Sequence, residues 1–399
     1  MGAPRGTFSD NRHAVGYDHR VKLAQWMTPF VFGLLIVGCS SEEAAKPKAS
    51  PPSFEMAGPL GVAHTRFDLS DTARTRDLSV TAWYPTDAET GGSAPIESLL
   101  AAGPDRDAYA ALVAAAPLEC ATRSIASTPD LARSAAQSNW PLIVFSHCHN
   151  CLALSAASIA ERLASHGFIV VAPDHAENTL FDKIAGTAAG LTKEFLQTRA
   201  SDVRFVMDVL LDTGAQAVPK VLRGAADPER VGVFGHSFGG VTTGLVLQDD
   251  PRPLAGLSIA APMENPLLPG VSMTQIQKPV LFVLAQEDNS IGEIGNNILR
   301  SNFDAGNPPL VKVEVANAGH WSFSDICALT SDFGAGCGDA QRQTDPSETF
   351  SYLPVSDGIA LSAAYVTAFF SAELKADEGG RAYVREAHPE KLATVAVRD

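Results

Sequence analysis

The chain has 399 residues, of which 45% are hydrophobic and 19% charged, and a formal net charge of -15. That balance excludes an intrinsically disordered chain and leaves enough apolar sequence for a large core. The acidity, with no Lys/Arg cluster along the chain, argues against nucleic acid or an anionic lipid surface as the principal partner.

Residues 26–38 (WMTPFVFGLLIVG) form an apolar run preceded by His19, Arg20 and Lys22. A bilayer span needs about 20 apolar residues, so the run is short for one and fits the hydrophobic region of a signal peptide. It ends in Ile36-Val37-Gly38-Cys39-Ser40, which resembles the lipobox of bacterial lipoproteins. There the peptide is cut before the cysteine and the thiol is diacylated. The resemblance implies a signal peptide over 1–38, lipidation of Cys39, and export to the bacterial cell envelope. Residues 39–57 are polar and rich in Ala, Pro and Ser, and read as a flexible tether. Membrane contact is then expected through the lipid anchor only.

Export implies an oxidising compartment, so the six cysteines matter. Beyond Cys39, Cys327 and Cys337 flank a Gly-containing loop and are the expected disulfide. Cys148 and Cys151 are expected to pair locally, or one of them with Cys120, leaving one thiol free.

In chain order, residues 74–85 alternate Leu78, Val80 and Ala82 with polar neighbours and predict a strand. Residues from about 91 to 138 are Ala-rich and punctuated by Pro95, Pro104, Pro117 and Pro129, which predicts an insertion of short helices. Residues 141–146 (PLIVFS) are continuously apolar, as in a strand buried on both faces. Helical spacing over 155–166, a buried strand at 168–172 and an amphipathic helix over 199–211 follow. Further strands are predicted at 231–234, 257–260, 280–285 and 311–315, with helices at 241–248 and 359–374. Strands alternating with helices predict a mostly parallel sheet covered on both faces. The globular domain is placed at 58–375 and a charged, peripheral tail at 376–399.

Gly235-His236-Ser237-Phe238-Gly239 sits between the apolar strand 231–234 and a helix. A Gly-x-Ser-x-Gly in that context is the turn that exposes a nucleophilic serine at a sheet edge. A serine hydroxyl needs a base within hydrogen-bond reach. In this arrangement the partners follow in the order serine, acid, histidine. Downstream histidines are His320, on a loop after strand 311–315, and His388, in the charged tail. His320 is therefore the expected base. His236 adjoins Ser237 but points elsewhere at such a turn, and is read as a packed or hydrogen-bonding residue. The acid should leave a strand end. Asp288 follows strand 280–285 and is the expected acid, with Glu287 and Glu264 as competitors. Its role is to hold the imidazole tautomer and stabilise imidazolium.

An oxyanion hole needs two backbone N–H donors. They are expected from Phe238, after the nucleophile, and from His149 in the loop His147-Cys148-His149-Asn150-Cys151. Two His and two Cys within five residues also invite a metal reading. Zinc sites usually gather ligands from separated pairs, and no second pair stands nearby, so no metal and no cofactor is expected.

Trp83-Tyr84-Pro85, Phe145-Ser146-His147, Leu163-Ala164-Ser165-His166-Gly167-Phe168-Ile169-Val170, the elbow with Gly240, and His320 with Phe323 and Asp325 together resemble one family. It is the platelet-activating-factor acetylhydrolase and dienelactone-hydrolase-like branch of the α/β-hydrolases. The resemblance implies an α/β-hydrolase fold and calcium-independent hydrolysis of carboxylic esters, often of short acyl groups on phospholipids. Two departures stand out. Cys148 occupies a position where acetylhydrolases carry Gly, and Ala260 falls where they place the catalytic acid, which shifts that role to Asp288. Dienelactone hydrolases proper use a cysteine nucleophile, so Ser237 argues against that activity. The expected function is that of a serine esterase acting on short-chain acyl esters, platelet-activating-factor-like phospholipids among them. The alternatives are a cutinase-like polyesterase or lipase, and a catalytically degenerate hydrolase fold used as a surface binding protein.

Overall fold

The computed structural model describes residues 53–117, 120 and 123–399, together with Gly2. The expected signal peptide, Cys39 and almost all of the expected tether lie outside the described residues.

Ten strands make the main sheet: β1 (Gly61–Asp71), β2 (Arg76–Thr86), β3 (Thr128–Pro129), β4 (Trp140–Ser146), β5 (Ile169–Pro173), β6 (Ala226–His236), β7 (Pro253–Ile259), β8 (Val280–Ala285), β9 (Leu310–Val315) and β10 (Ala393–Arg398). Their order is β10-β9-β8-β7-β6-β4-β5-β2-β1-β3. From β5 through β4 and β6 to β9 every neighbouring pair is parallel. The antiparallel hairpin of β1 and β2 flanks one side, and β10 pairs antiparallel with β9 on the other.

The central strands read as apolar runs because both of their faces are covered. In β8, Leu281, Val283 and Ala285 enter the core shared with helices α2 (Ala157–Ser165) and α6 (Val355–Lys375). Val280, Phe282 and Leu284 point the other way. They meet α3 (Lys193–Leu211), α4 (Phe238–Asp249) and α5 (Gly292–Ala305). The helix α1 (Pro104–Ala115) belongs to the insertion, where Ile96, Leu99 and Tyr109 pack into the first of these cores.

Two expectations are corrected. Residues 376–399 are not a peripheral tail. They form the short helix Glu378–Tyr383 and then β10, whose register with β9 runs from Leu310↔Arg398 to Val315↔Ala393. The Tyr365 hydroxyl of α6 donates to Glu386 O (2.7 Å) and accepts from His388 N (2.8 Å), pinning this segment to the core. The expected Cys327–Cys337 disulfide is replaced by Cys120–Cys337, with a Cα separation of 5.3 Å across 217 residues of sequence. Cys327 is a buried free thiol, which burial pushes up to about 12. Cys337 is only partly buried and turns to the insertion, which it ties to the loop after His320. Cys148 and Cys151 do pair with each other.

Candidate active site

Strand β6 ends at His236 and α4 begins at Phe238, so Ser237 alone makes the turn, at φ 56° and ψ -121°. A non-glycine residue in that region is strained and is held there by its surroundings. The glycines make the crossing possible. A Cβ on Gly235 would lie 2.0 Å from Gly239 O, and one on Gly239 would lie 1.8 Å from Ser146 O. Ser237 N donates to Ile259 O (2.9 Å), which locks the turn to β7.

The loop after β9 carries His320, and the loop after β8 carries Asp288. Both side chains are fully buried, and His320 Nδ1 lies 2.7 Å from Asp288 Oδ2. A carboxylate accepts only, so Nδ1 carries the proton and Nε2 presents its lone pair. Asp288 Oδ1 accepts from Ser290 N and Ile291 N, both at 2.9 Å, so the carboxylate is held from its other side. The competitors are engaged elsewhere. Glu287 accepts from Arg342 (2.9 Å) and Gln343 N (2.9 Å), and Glu264 accepts from Met273 N (2.7 Å). His388 stacks on Tyr383, with ring centroids 4.0 Å apart.

His236 ties the elbow to the histidine loop. Its Nε2 donates to His320 O at 2.9 Å, and the two rings lie 4.9 Å apart. Burial, with the neighbouring His320, pushes it down to about 3, so it stays neutral. His320 Nε2 is buried without a hydrogen-bond partner, so the Ser237 hydroxyl is not bonded to it here. Such bonds often tighten only when substrate is present.

Ser237 opens into a cleft of about 770 Å³, within the range of small-molecule sites. His149, Phe238 and Trp321 line it beside the serine. Phe238 is the first helical residue, and its N–H has no carbonyl in a preceding turn to reach. The His149 ring faces Phe238, and its Nδ1 accepts from Asn178 Nδ2 at 2.7 Å. Burial and the nearby Arg199 push His149 down to about 4. Because Cys148 and Cys151 are bonded to each other, neither offers a thiolate to a metal. Among the described residues no group of three or more His, Cys, Asp or Glu could hold one.

Insertion residues 91–138 do not line this cleft. Its walls come from 261–268, 290–298 and 332–333, with Lys183 and Leu191 from the segment before α3. Leu267 (85% exposed) and Ile294 (80%) stand at its mouth.

Sequence reasoning missed the layer beneath the loop 147–151. Arg199 is fully buried there on α3, contacting His147 O, Asn178 Oδ1 and, at 3.0 Å, Ser146 Oγ. Ser146 in turn bonds His175 Nε2 (3.0 Å), and His175 Nδ1 bonds Asp202 Oδ2 (3.0 Å). This Ser146–His175–Asp202 chain is buried and lines no part of the cleft, so it is a support. One signal was present in the sequence. Arg199 and Asp202 fall on the same face of α3 as Leu196, Ala200 and Val203.

Comparison with known proteins agrees with this architecture. Residues 130–326 match the dienelactone hydrolase family. Platelet-activating factor acetylhydrolase of Canis lupus familiaris is 27% identical over 180 residues, covering 36% of this chain and 39% of the relative. That of Gallus gallus is 24% identical over 250 residues, covering 52% and 58%. The chain thus spans between about two fifths and three fifths of these relatives' length. A solved ferulic acid esterase from Streptomyces cinnamoneus shares the fold, with a TM-score of 0.62 and 22% identity over 88% of this chain and 98% of the other. The sheet order, the strained elbow and these matches converge: the chain has the α/β-hydrolase fold and is similar to the dienelactone-hydrolase and platelet-activating-factor-acetylhydrolase branch of that fold.

Proposed function

We propose that this protein is a serine carboxylic-ester hydrolase working through an acyl-enzyme. The observation that carries the reading is the buried Asp288–His320 contact, which leaves Nε2 free beside the elbow that exposes Ser237. Ser237 Oγ attacks the ester carbonyl while Nε2 takes its proton. Asp288 keeps the imidazole in the required tautomer and stabilises imidazolium. The tetrahedral oxyanion is held by the N–H groups of Phe238 and His149. Nε2–H then protonates the departing alkoxide, and water, deprotonated by the same nitrogen, hydrolyses the acyl-enzyme.

Short acyl esters are the proposed substrates, with acetylated phospholipids suggested by the names of the acetylhydrolase relatives. A specific observation favours a second reading. The exposed Leu267 and Ile294 give the cleft an open, apolar mouth, which suits a cutinase-like polyesterase or lipase. The two disulfides fit an oxidising compartment and support export, with a lipid anchor at Cys39 as part of the proposal. A p-nitrophenyl ester chain-length series, run beside a phospholipid and a polyester, tests both readings. Rates peaking at acetyl and butyryl support the first; rates rising to long chains and polymer support the second. No turnover of any ester, and no labelling by a fluorophosphonate, would contradict both and leave a binding protein.

A further inference from the structure

We infer that Arg199 is a positioning residue for the oxyanion hole, fixing the His149 peptide from beneath and the Phe238 side from behind; the inference rests on the hydrolase mechanism proposed above.

The cis peptide bonds among the described residues are Pro308-Pro309 and His388-Pro389, so the Cys148–His149 peptide is trans. In a trans peptide the C=O and the following N–H point in opposite directions. Whatever holds Cys148 O on the inner side therefore turns His149 N–H outward, toward the cleft. Three donors hold that oxygen: His147 Nδ1 at 2.7 Å, Cys151 N at 3.4 Å and Arg199 Nη1 at 3.5 Å. Arg199 Nη2 also donates to the carbonyl one residue earlier, His147 O. Both carbonyls leading into the candidate donor are thus drawn to one guanidinium.

The same guanidinium lies over the Phe238 ring, 4.6 Å from its centroid, behind the other candidate N–H. Through Asn178 it reaches His149 a second way. Arg199 donates to Asn178 Oδ1, and Asn178 Nδ2 donates to His149 Nδ1 (2.7 Å). His147 is held in the tautomer this needs, because its Nε2 accepts from His175 N at 3.0 Å. Among the described residues Arg199 forms no direct ion pair. Its charge is met by carbonyls and by the Ser146–His175–Asp202 chain. A planar fork with five donors can hold such a set at once, whereas a lysine ammonium cannot match its geometry. A buried cation close behind two N–H dipoles also favours negative charge at the point they address.

A group that acts on the transition state rather than on substrate binding lowers kcat and leaves KM in place. In the full chain, Arg199→Lys and Arg199→Met are expected to lower kcat for p-nitrophenyl acetate by about 10- and 100-fold, the latter comparable to losing one oxyanion donor. KM should hold within about threefold, and the inhibition constant of phenylboronic acid, a tetrahedral mimic at the serine, should rise in parallel with the fall in kcat. Asn178→Ala removes only the second tether and should give a smaller loss of the same kind; it decides the matter if Arg199→Met does not fold. Folded variants with unchanged kcat and boronate affinity, or a rise in KM alone, would overturn the inference. Persistence of turnover in Ser237→Ala would instead overturn the mechanism on which it rests.

Discussion

His320 Nδ1 and Asp288 Oδ2 meet at 2.7 Å with both side chains fully buried, although 32 residues and a whole helix separate them in sequence. Parallel strands β8 and β9 lie side by side, so the loops leaving their ends face each other. Asp288→Asn tests what the contact does. Its amide keeps an oxygen for Ser290 N and Ile291 N but turns an N–H toward Nδ1, which forces the wrong tautomer. Steady-state kinetics should show kcat lower by about 10³–10⁴-fold with the fold intact. Glu287→Gln should change the rate little, since Glu287 bonds Arg342 and Gln343.

The elbow makes a sharper structural claim. A Cβ on Gly239 would stand 1.8 Å from the carbonyl of Ser146, a backbone atom that cannot swing away. Gly239→Ala should therefore destabilise the domain by about 1–3 kcal/mol or more. It should also abolish turnover, because the carbonyl it displaces leads into the loop 147–151. Urea unfolding monitored beside activity reads both effects.

Cysteine chemistry separates the corrected pairing from the expected one. Peptide mapping without reduction should recover Cys120 joined to Cys337 and Cys148 joined to Cys151. Cys327 should resist iodoacetamide in the folded protein and react once it is unfolded, as a buried thiol held well above its usual range must. Recovery of a Cys327–Cys337 peptide would reject the pairing.

Acid should loosen this fold well above the carboxylate range. Burial lowers His147, His149, His175 and His236, the last three to about 4, 4 and 3. Each then binds its proton more readily in the unfolded chain. Their contribution is complete above the unfolded value near 6.5 and is lost as pH falls toward 4. Asp325, which burial raises to about 7, acts in the opposite sense over that window, as do Glu161 and Glu373, which burial also raises. With His64 and His166 also lowered by burial, six histidines stand against these three. Asp202 adds nothing there: burial alone would raise it, but His175 and Arg76 hold it at about 2. Thermal midpoints measured from pH 7 to 4 should fall steadily, and His236→Phe should flatten the slope if the variant folds.

Legibility in the sequence followed the physics of burial. Strand β8 was readable to the residue, because a segment buried on both faces is apolar throughout. Strand β1 escaped notice: His64, Thr65 and Arg66 interrupt its apolar residues, and no simple alternation survives. Strand β10 hid in a charged stretch, since an edge strand needs to bury little. Ser237 was legible from the strand and helix around it, and His320 from its place after β9. Glu287 and Asp288 are adjacent, and only the contact with His320 separates them. The Cys120–Cys337 pair could not be read, because a 217-residue separation leaves no local trace. Arg199 was written on the apolar face of α3, but its partners arrive from three other segments.

Ser237 Oγ is the proposed nucleophile that carries the acyl group in the acyl-enzyme. Wild-type protein and Ser237→Ala, matched in thermal stability, should be incubated with a fluorophosphonate probe and analysed by intact mass, with p-nitrophenyl acetate turnover followed in parallel. One probe adduct is expected on the wild type, mapped to the Ser237 peptide, with no adduct and no turnover above background in Ser237→Ala. An adduct on another residue, or undiminished hydrolysis by Ser237→Ala, would contradict it.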